Sequence, residues 1–409
     1  MKSLLRSLIL MFVHVYGSSR AKKASRRSLP QAGQTTRILL VRPDHLGDLL
    51  MTTPILEAIK EQLPDAQITM MVGPWSSEVI ARHPAVNRLL TCPFPGFQRA
   101  PQKALDPYKL LFRTAEQLKK NDYDLAINLR PDFWWGAALL YLAGIPRRIG
   151  YATELTAPFL TQALSFPMTE HATVSNLRLS SAALQALGKP ALVEPHTPAR
   201  YPLYFKPHED ELTWADERLR EAEMTTGNPV VIIHAGTGGA VKLWRNDGWT
   251  HVAQLLANGT LTPTPAHIIF TGSKTERPMI EEIAGPLQGK ALLLTEMTVG
   301  QLAALIARAN LVLGVDNGPL HMAAAQDTPS LRLFGPTDTH IFGPWGAPER
   351  HRVLAATQPC PGCPAIPCGR LDFTAEELAV HPCVRLISDQ QVEQAIQALT
   401  GSVAEQPHP

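Results

Sequence analysis

The chain has no hydrophobic run long enough to cross a bilayer near its start. The apolar core there, Leu8 to Tyr16, is about half of the roughly 20 residues that a spanning helix needs. Charge is also sparse, at 18% against 45% hydrophobic residues, as in a soluble globular protein. Acidic residues are missing altogether from residues 1–37, which hold eight basic ones: Lys2, Arg6, Arg20, Lys22, Lys23, Arg26, Arg27 and Arg37. The remainder carries 30 basic and 36 acidic residues, a net charge of −6, which argues against a nucleic-acid partner for the body of the protein. There is no short-period repeat and no low-complexity tract. At 409 residues the chain exceeds one ordinary core, and two domains are expected.

The basic segment, residues 1–36, has three readings. A signal peptide fits the short core and positive start, but no clear A-x-A site follows. A frayed tail is the second. The favoured reading is an interfacial helix with a polybasic neighbour that attracts anionic lipid and keeps the protein peripheral on the inner face of the cytoplasmic membrane.

Downstream, strand-like runs alternate with helical patterns. Arg37–Arg42, Ile68–Val72, Arg88–Cys92 and Leu125–Leu129 are expected strands, with a helix over Asp48–Gln62. A second series follows at Val230–His234, His267–Thr271, Leu292–Thr295, Leu311–Val315 and Leu331–Phe334. Its expected helices are Trp249–Ala257, Lys274–Leu287 and Val299–Ala309. Two βαβ series imply two doubly wound parallel-sheet α/β domains. Prolines crowd 189–207, so the domains are expected at 37–205 and 206–409. A Pro-rich stretch at 94–107 reads as a surface loop.

Polar motifs collect at the expected strand ends, where open α/β sheets bind ligands. After Leu311–Val315 come Asp316-Asn317-Gly318-Pro319 and a small-residue helix containing Leu320 and His321. The free amides of a helix start suit a phosphate or a polar sugar. A lone His among small apolar residues is more often a packed structural group. After Arg42, Gly47 permits a turn and Asp48 opens a helix, where a carboxylate is commonly a cap. Asp44 and His45 compete with it for any acid–base role. The loop His234–Trp244 brings glycines, the Thr237 hydroxyl and the Lys242 charge, but lacks P-loop spacing. Glu276, in Thr271–Glu276, suits ribose hydroxyls or simply water. Cys360 and Cys363 form a C-x₂-C pair followed by Cys368 and Cys383, which has structural-zinc character without standard finger spacing; disulfides or free thiols stay open. Cys92 reads as a core thiol.

Four segments in this order resemble glycosyltransferase family 9, the ADP-heptose:lipopolysaccharide heptosyltransferases and relatives. They are Arg37–Val72 with its Gly47-Asp48, Tyr123–Tyr151, IARANLVLGVDNGPLHMAAA (Ile306–Ala325) and LFGPTDTHIFGPWG (Leu333–Gly346). The resemblance implies a GT-B architecture, with the acceptor-binding and nucleotide-sugar domains facing across a cleft. It implies inverting transfer with no cofactor required for catalysis, from a nucleotide-diphosphate sugar, ADP-heptose being favoured, to a glycolipid or polysaccharide acceptor. In that frame Asp48 is the general base. Lys242 pairs the diphosphate beside Thr237, Glu276 holds the ribose, and Asp316 binds sugar hydroxyls. Asn317, Gly318 and the Leu320–His321 turn offer amides to the phosphates. A nucleotide-sugar epimerase or dehydrogenase would need a dinucleotide fingerprint and a Tyr-x-x-x-Lys base, and the first βαβ unit has neither. A noncatalytic nucleotide- or carbohydrate-binding protein on this scaffold would not need Asp48 and Lys242.

Overall fold

The computed structural model describes residues 2–31, 33–97, 103–224 and 227–403. The chain divides between Thr197 and Pro198 into two compact units, each built on a six-stranded sheet. The first runs α1 (Lys2–Ser25), β1 (Arg37–Arg42), α2 (Leu46–Leu50), α3 (Pro54–Gln62), β2 (Gln67–Val72), α4 (Ser77–Ala81), β3 (Arg88–Thr91), α5 (Asp106–Leu118), β4 (Leu125–Asn128), α6 (Trp134–Leu142), β5 (Arg147–Tyr151), β6 (Gln162–Leu164) and α7 (Ala172–Ala186). The second runs α8 (Glu209–Glu221), β7 (Val230–His234), α9 (Asn246–Ala257), β8 (His267–Thr271), α10 (Arg277–Ala284), β9 (Ala291–Leu294), α11 (Val299–Arg308), β10 (Leu311–Val315), α12 (Gly318–Ala325), β11 (Ser330–Phe334), α13 (Thr339–Phe342), β12 (His351–Ala355), α14 (Ala375–Leu378) and α15 (Asp389–Val403).

All strand pairs are parallel. The orders are β3-β2-β1-β4-β5-β6 and β12-β11-β10-β7-β8-β9, the same winding used twice. Central strands such as Val-Val-Ile-Ile-His in β7 are buried at every residue, because helices cover both faces of each sheet. In each order the direction of winding reverses once, between β1 and β4 and between β7 and β10. Ligand sites form outside the strand ends at such a reversal.

Departures from the sequence expectation have local causes. The single helix expected over Asp48–Gln62 is two, because Pro54 has no N–H to give and its ring crowds the carbonyl of Leu50. The Thr53 hydroxyl takes that carbonyl instead, at 2.7 Å. The segment expected as one helix at Lys274–Leu287 has α10 at its centre and a short 3₁₀ turn at each end, Gly285-Pro286 tightening the second. Strands β5, β6 and β12 extend the two sheets beyond the expected runs. Residues 98–102 of the Pro-rich stretch lie outside the described residues.

The N-terminal segment is not a frayed tail: Leu10, Val13 and Ala21 of α1 are buried in the core of the first unit, among residues of α6. Tyr141 of α6 donates its hydroxyl to the His14 carbonyl at 2.8 Å, and the two rings stack. Among the described residues no helix is long and apolar enough to cross a membrane.

Candidate active site

In the first unit the strand reversal gathers Arg42 at the end of β1, Asp44 and Asp48 from beyond it, and Arg130 from beyond β4. Asp44 is 2% exposed. One carboxylate oxygen lies 2.7 Å from Arg42 Nε, and the other is bonded to Arg130. Burial opposes the Arg130 charge, but Asp44 and Asp132 outweigh it and raise its pKa above the ordinary arginine value. The Asp44 carbonyl accepts from Trp75 Nε1 and Ser76 Oγ at 3.0 and 2.9 Å. Asp44 is thereby committed to holding the turn. Asp48 is placed differently: His45 takes the N-cap position of α2, and Asp48 sits in its first turn. Its side chain is 31% exposed and touches Arg42 Nη2 at 3.4 Å. Arg42 is itself held by the Leu129 carbonyl at 3.1 Å and by Asn176 Oδ1 at 3.4 Å. The result is an accessible carboxylate beside a fixed, buried guanidinium.

In the second unit the reversal brings the loops after β7 and β10 together. Lys242, at the end of a 3₁₀ turn (Ala240–Lys242), places Nζ 3.1 Å from Asp316 Oδ2. Thr337 donates to the same oxygen at 2.8 Å, and Thr237 donates to the Asp316 carbonyl at 3.3 Å. Asp316 is nearly buried, and a buried carboxylate requires such partners. Asn317 caps α12, its Oδ1 accepting from the Leu320 amide at 3.2 Å while Nδ2 donates to Gly236 O at 2.8 Å. The Asn317 side chain, through these two bonds, braces the turn at the start of α12.

Glu276 Oε2 accepts from the Ser273 amide and hydroxyl, both at 2.7 Å, in a capping box. Its Oε1 lies over Gly236, where a Cβ would come within 2.1 Å, so any side chain at that position would have to displace the Glu276 carboxylate. His234 bonds Thr271 Oγ1 through Nδ1 at 2.9 Å, and burial lowers its pKa to about 4, leaving the ring neutral at pH 7.

His321 is buried, with Arg332 Nη1 at 3.2 and 3.4 Å from its two ring nitrogens, while Arg332 Nη2 bonds the Leu320 carbonyl. Burial lowers the Arg332 guanidinium to about 9, with Asp316 opposing, so it remains a cation behind the turn. Sequence reading had not singled out Arg42, Arg130, Thr337 or Arg332. The signal for Arg332 was a lone charge inside the apolar strand Ser-Leu-Arg-Leu-Phe.

The C-terminal cysteines form a second constellation. Ligand atoms of Cys360, Cys363 and His381 lie within 4.8 Å of one another, with Cys363 Sγ 3.2 Å from His381 Nδ1. The Cys363 thiol pKa is raised by burial and by its neighbours Cys368 and Cys360. Cys383, buried and close to Cys360, is pushed up to about 12. Two thiols and an imidazole converging within 4.8 Å match the donor chemistry of a thiophilic metal site. His381 was not among the expected ligands; its signal was adjacency, in His381-Pro382-Cys383. Cys92 is a buried core thiol pushed up to about 12, mainly by burial.

Comparison with known proteins agrees with this layout. The model of glycosyltransferase family 9 (heptosyltransferase) matches residues 111–366, which span most of the second unit and include β4, β7 and β10. Lipopolysaccharide heptosyltransferase 3 of Escherichia coli is 29% identical over 73% of this chain and 83% of its own length. The crystal structure of a family 9 glycosyl transferase from Veillonella parvula superposes with a TM-score of 0.72 at 21% identity, covering 91% of this chain and 99% of that one. The E. coli ADP-heptose lipopolysaccharide heptosyltransferase II gives 0.65 at 20% identity, over 90% and 100%. These likenesses carry the GT-B fold. With more than half its length matched by the family model and its polar residues gathered at both strand reversals, the chain belongs to glycosyltransferase family 9, the heptosyltransferases.

Proposed function

We propose that this protein is an inverting glycosyltransferase that moves a heptose from ADP-heptose to a glycolipid or polysaccharide acceptor of the cell envelope. The observation that carries this reading is the cluster Lys242–Asp316–Thr337 beside the capped start of α12, at the reversal of the second sheet. A cation, a hydroxyl and helix-start dipoles collected at one point are the groups that suit a sugar diphosphate. Residues 37–205 would bind the acceptor and 206–409 the donor.

Asp48 acts as general base. It takes the proton of the acceptor hydroxyl as that oxygen bonds to the anomeric carbon and the bond to the diphosphate breaks, releasing ADP. Attack from the face opposite the departing diphosphate inverts the anomeric centre. Lys242, with Thr237 nearby, balances charge developing on the leaving diphosphate without a catalytic metal. Asp316 orients sugar hydroxyls, Glu276 holds the ribose, and Gly318 and His321 shape the donor turn. Cys360, Cys363 and His381, with Cys368 or Cys383 as the fourth ligand, would hold a structural zinc ion, which would fix the fold of the tail without taking part in the bond-making step. The basic N-terminal segment keeps the enzyme peripheral at the inner face of the cytoplasmic membrane, where its acceptor is made.

A donor panel tests the reading. Thermal shifts with ADP-heptose and with UDP-, GDP- and dTDP-sugars should single out ADP-heptose, since stabilisation grows with ligand over Kd. Lys242→Ala should remove most of that shift. Equal shifts for all four, or a preferred donor of another base, would overturn the donor assignment.

A further inference from the structure

Helix α1 has two faces with different fates. Residues along a helix turn by about 100° each, which places Leu10, Val13, Gly17 and Ala21 on one arc of about 80°. That arc is docked. Leu10, Val13 and Ala21 are buried, and Gly17 lies so close to Tyr141 that a Cβ would come within 2.4 Å of its ring. Met11, Phe12, Val15 and Tyr16 fall on the opposite arc, and they are 54–66% exposed. Lys22 and Lys23 fall within that same outer arc, a turn or two further along, and both are exposed, as is Arg26 just beyond the helix.

We propose that the outer face of α1 is a docking surface for a bilayer containing anionic phospholipid. The side chains are matched to it: Met11, Phe12 and Val15 to enter the acyl boundary, followed by lysines at headgroup level, while Tyr16 sets its ring edge against Phe112 of the first unit. Charge complementarity singles out this occupant. Residues 1–37 hold no acid, and the rest of the chain, at −6, is repelled by an anionic surface. This deepens the peripheral-membrane reading above and rests on it for the location of the acceptor.

The docked inner face adds a consequence that a floppy anchor would not have. Tyr141 bonds the His14 carbonyl and Arg20 bonds the Leu142 carbonyl at 3.4 Å, so α1 and the first unit move as one body. The bilayer therefore fixes the orientation of the first sheet as well as its distance from the lipid. Removing the whole segment is a poor test, because it also strips the packing from Tyr141 and Leu142.

Sedimentation of the full chain with vesicles tests the proposal. Vesicles of phosphatidylcholine with phosphatidylglycerol should pellet the protein at about 150 mM salt, and phosphatidylcholine alone should not. Met11→Ser, Phe12→Ser and Val15→Ser together should weaken binding about tenfold or more, as should Lys22→Glu with Lys23→Glu. Both variants should keep the parental Tm and transfer to a soluble acceptor analogue, whereas Val13→Asp, on the docked face, should lower the Tm. Vesicle binding unaffected by the outer-face variants overturns the proposal. So does a wild type that ignores anionic vesicles but forms a concentration-dependent dimer that the serine variant abolishes. Vesicle binding with no transfer from any donor would sink the enzymatic reading and leave this one standing.

Discussion

Two aspartates four positions apart show how environment divides labour between like residues. Asp44 is buried between Arg42 and Arg130, and its carbonyl anchors Trp75 and Ser76. A base in that position would have to give up two guanidinium partners to accept a proton. Asp48, one helical turn on, keeps an accessible carboxylate. Asp44→Asn should therefore act on stability: it leaves Arg42 buried with a neutral neighbour and should cost about 2–3 kcal/mol, or roughly 5–10 °C in Tm. Thermal melting of that variant checks the division, and an unchanged Tm would mean that the Asp44 pairs hold nothing together. Sequence alone placed both residues in one turn. Only the family resemblance favoured Asp48; the residues themselves left Asp44 a competitor, because the partner that immobilises it comes from Arg130, 86 residues away.

At the level of elements, legibility followed the punctuation. Strands β1, β7, β8 and β10 begin and end where apolar runs meet Pro, Gly or polar residues, and their bounds were readable from the sequence. Strand β5 was hidden by Arg147 and Arg148. Its place becomes clear only once β4 pairs with it and Arg148 is seen donating to the Phe159 carbonyl at 2.7 Å and the Ile145 carbonyl at 2.5 Å. The cysteine tail was half legible: C-x₂-C signalled a site, but His381 enters through folding. This tail also leans on the loop after β11. Cys383 Sγ sits where a Gly335 Cβ would meet it at 2.8 Å, and the Gly369 amide donates to Pro336 O at 2.7 Å, just before Thr337 and its bond to Asp316. Protein purified under reducing conditions should contain one zinc per chain. Cys360→Ser with Cys363→Ser should lose the metal, lower the Tm and weaken donor binding several-fold by loosening the Gly335–Thr337 turn. Substoichiometric metal in the parent protein would end the zinc assignment.

On the scale of the whole molecule, the same six-strand winding is used twice, and each copy places its polar residues at its own point of reversal. The general layout was legible because each motif follows an apolar strand. The contacts within it were less so. Thr337 and Arg332 reach the turn after β10 from the loop after β11 and from β11 itself, and Asn317 spends its side chain on the β7 loop. The proposed function divides the chemistry between the two units, with proton transfer in the first and the leaving group in the second. The measurement that tests this most directly is transfer from ADP-heptose to a heptose-deficient lipopolysaccharide core, with NMR of the new linkage, for the parent protein and Asp48→Asn. The account predicts an anomeric configuration opposite to that of the donor, and an Asp48→Asn variant that binds donor normally but turns over about 10²–10⁴-fold more slowly. A product with retained configuration, or full turnover by Asp48→Asn, would contradict it.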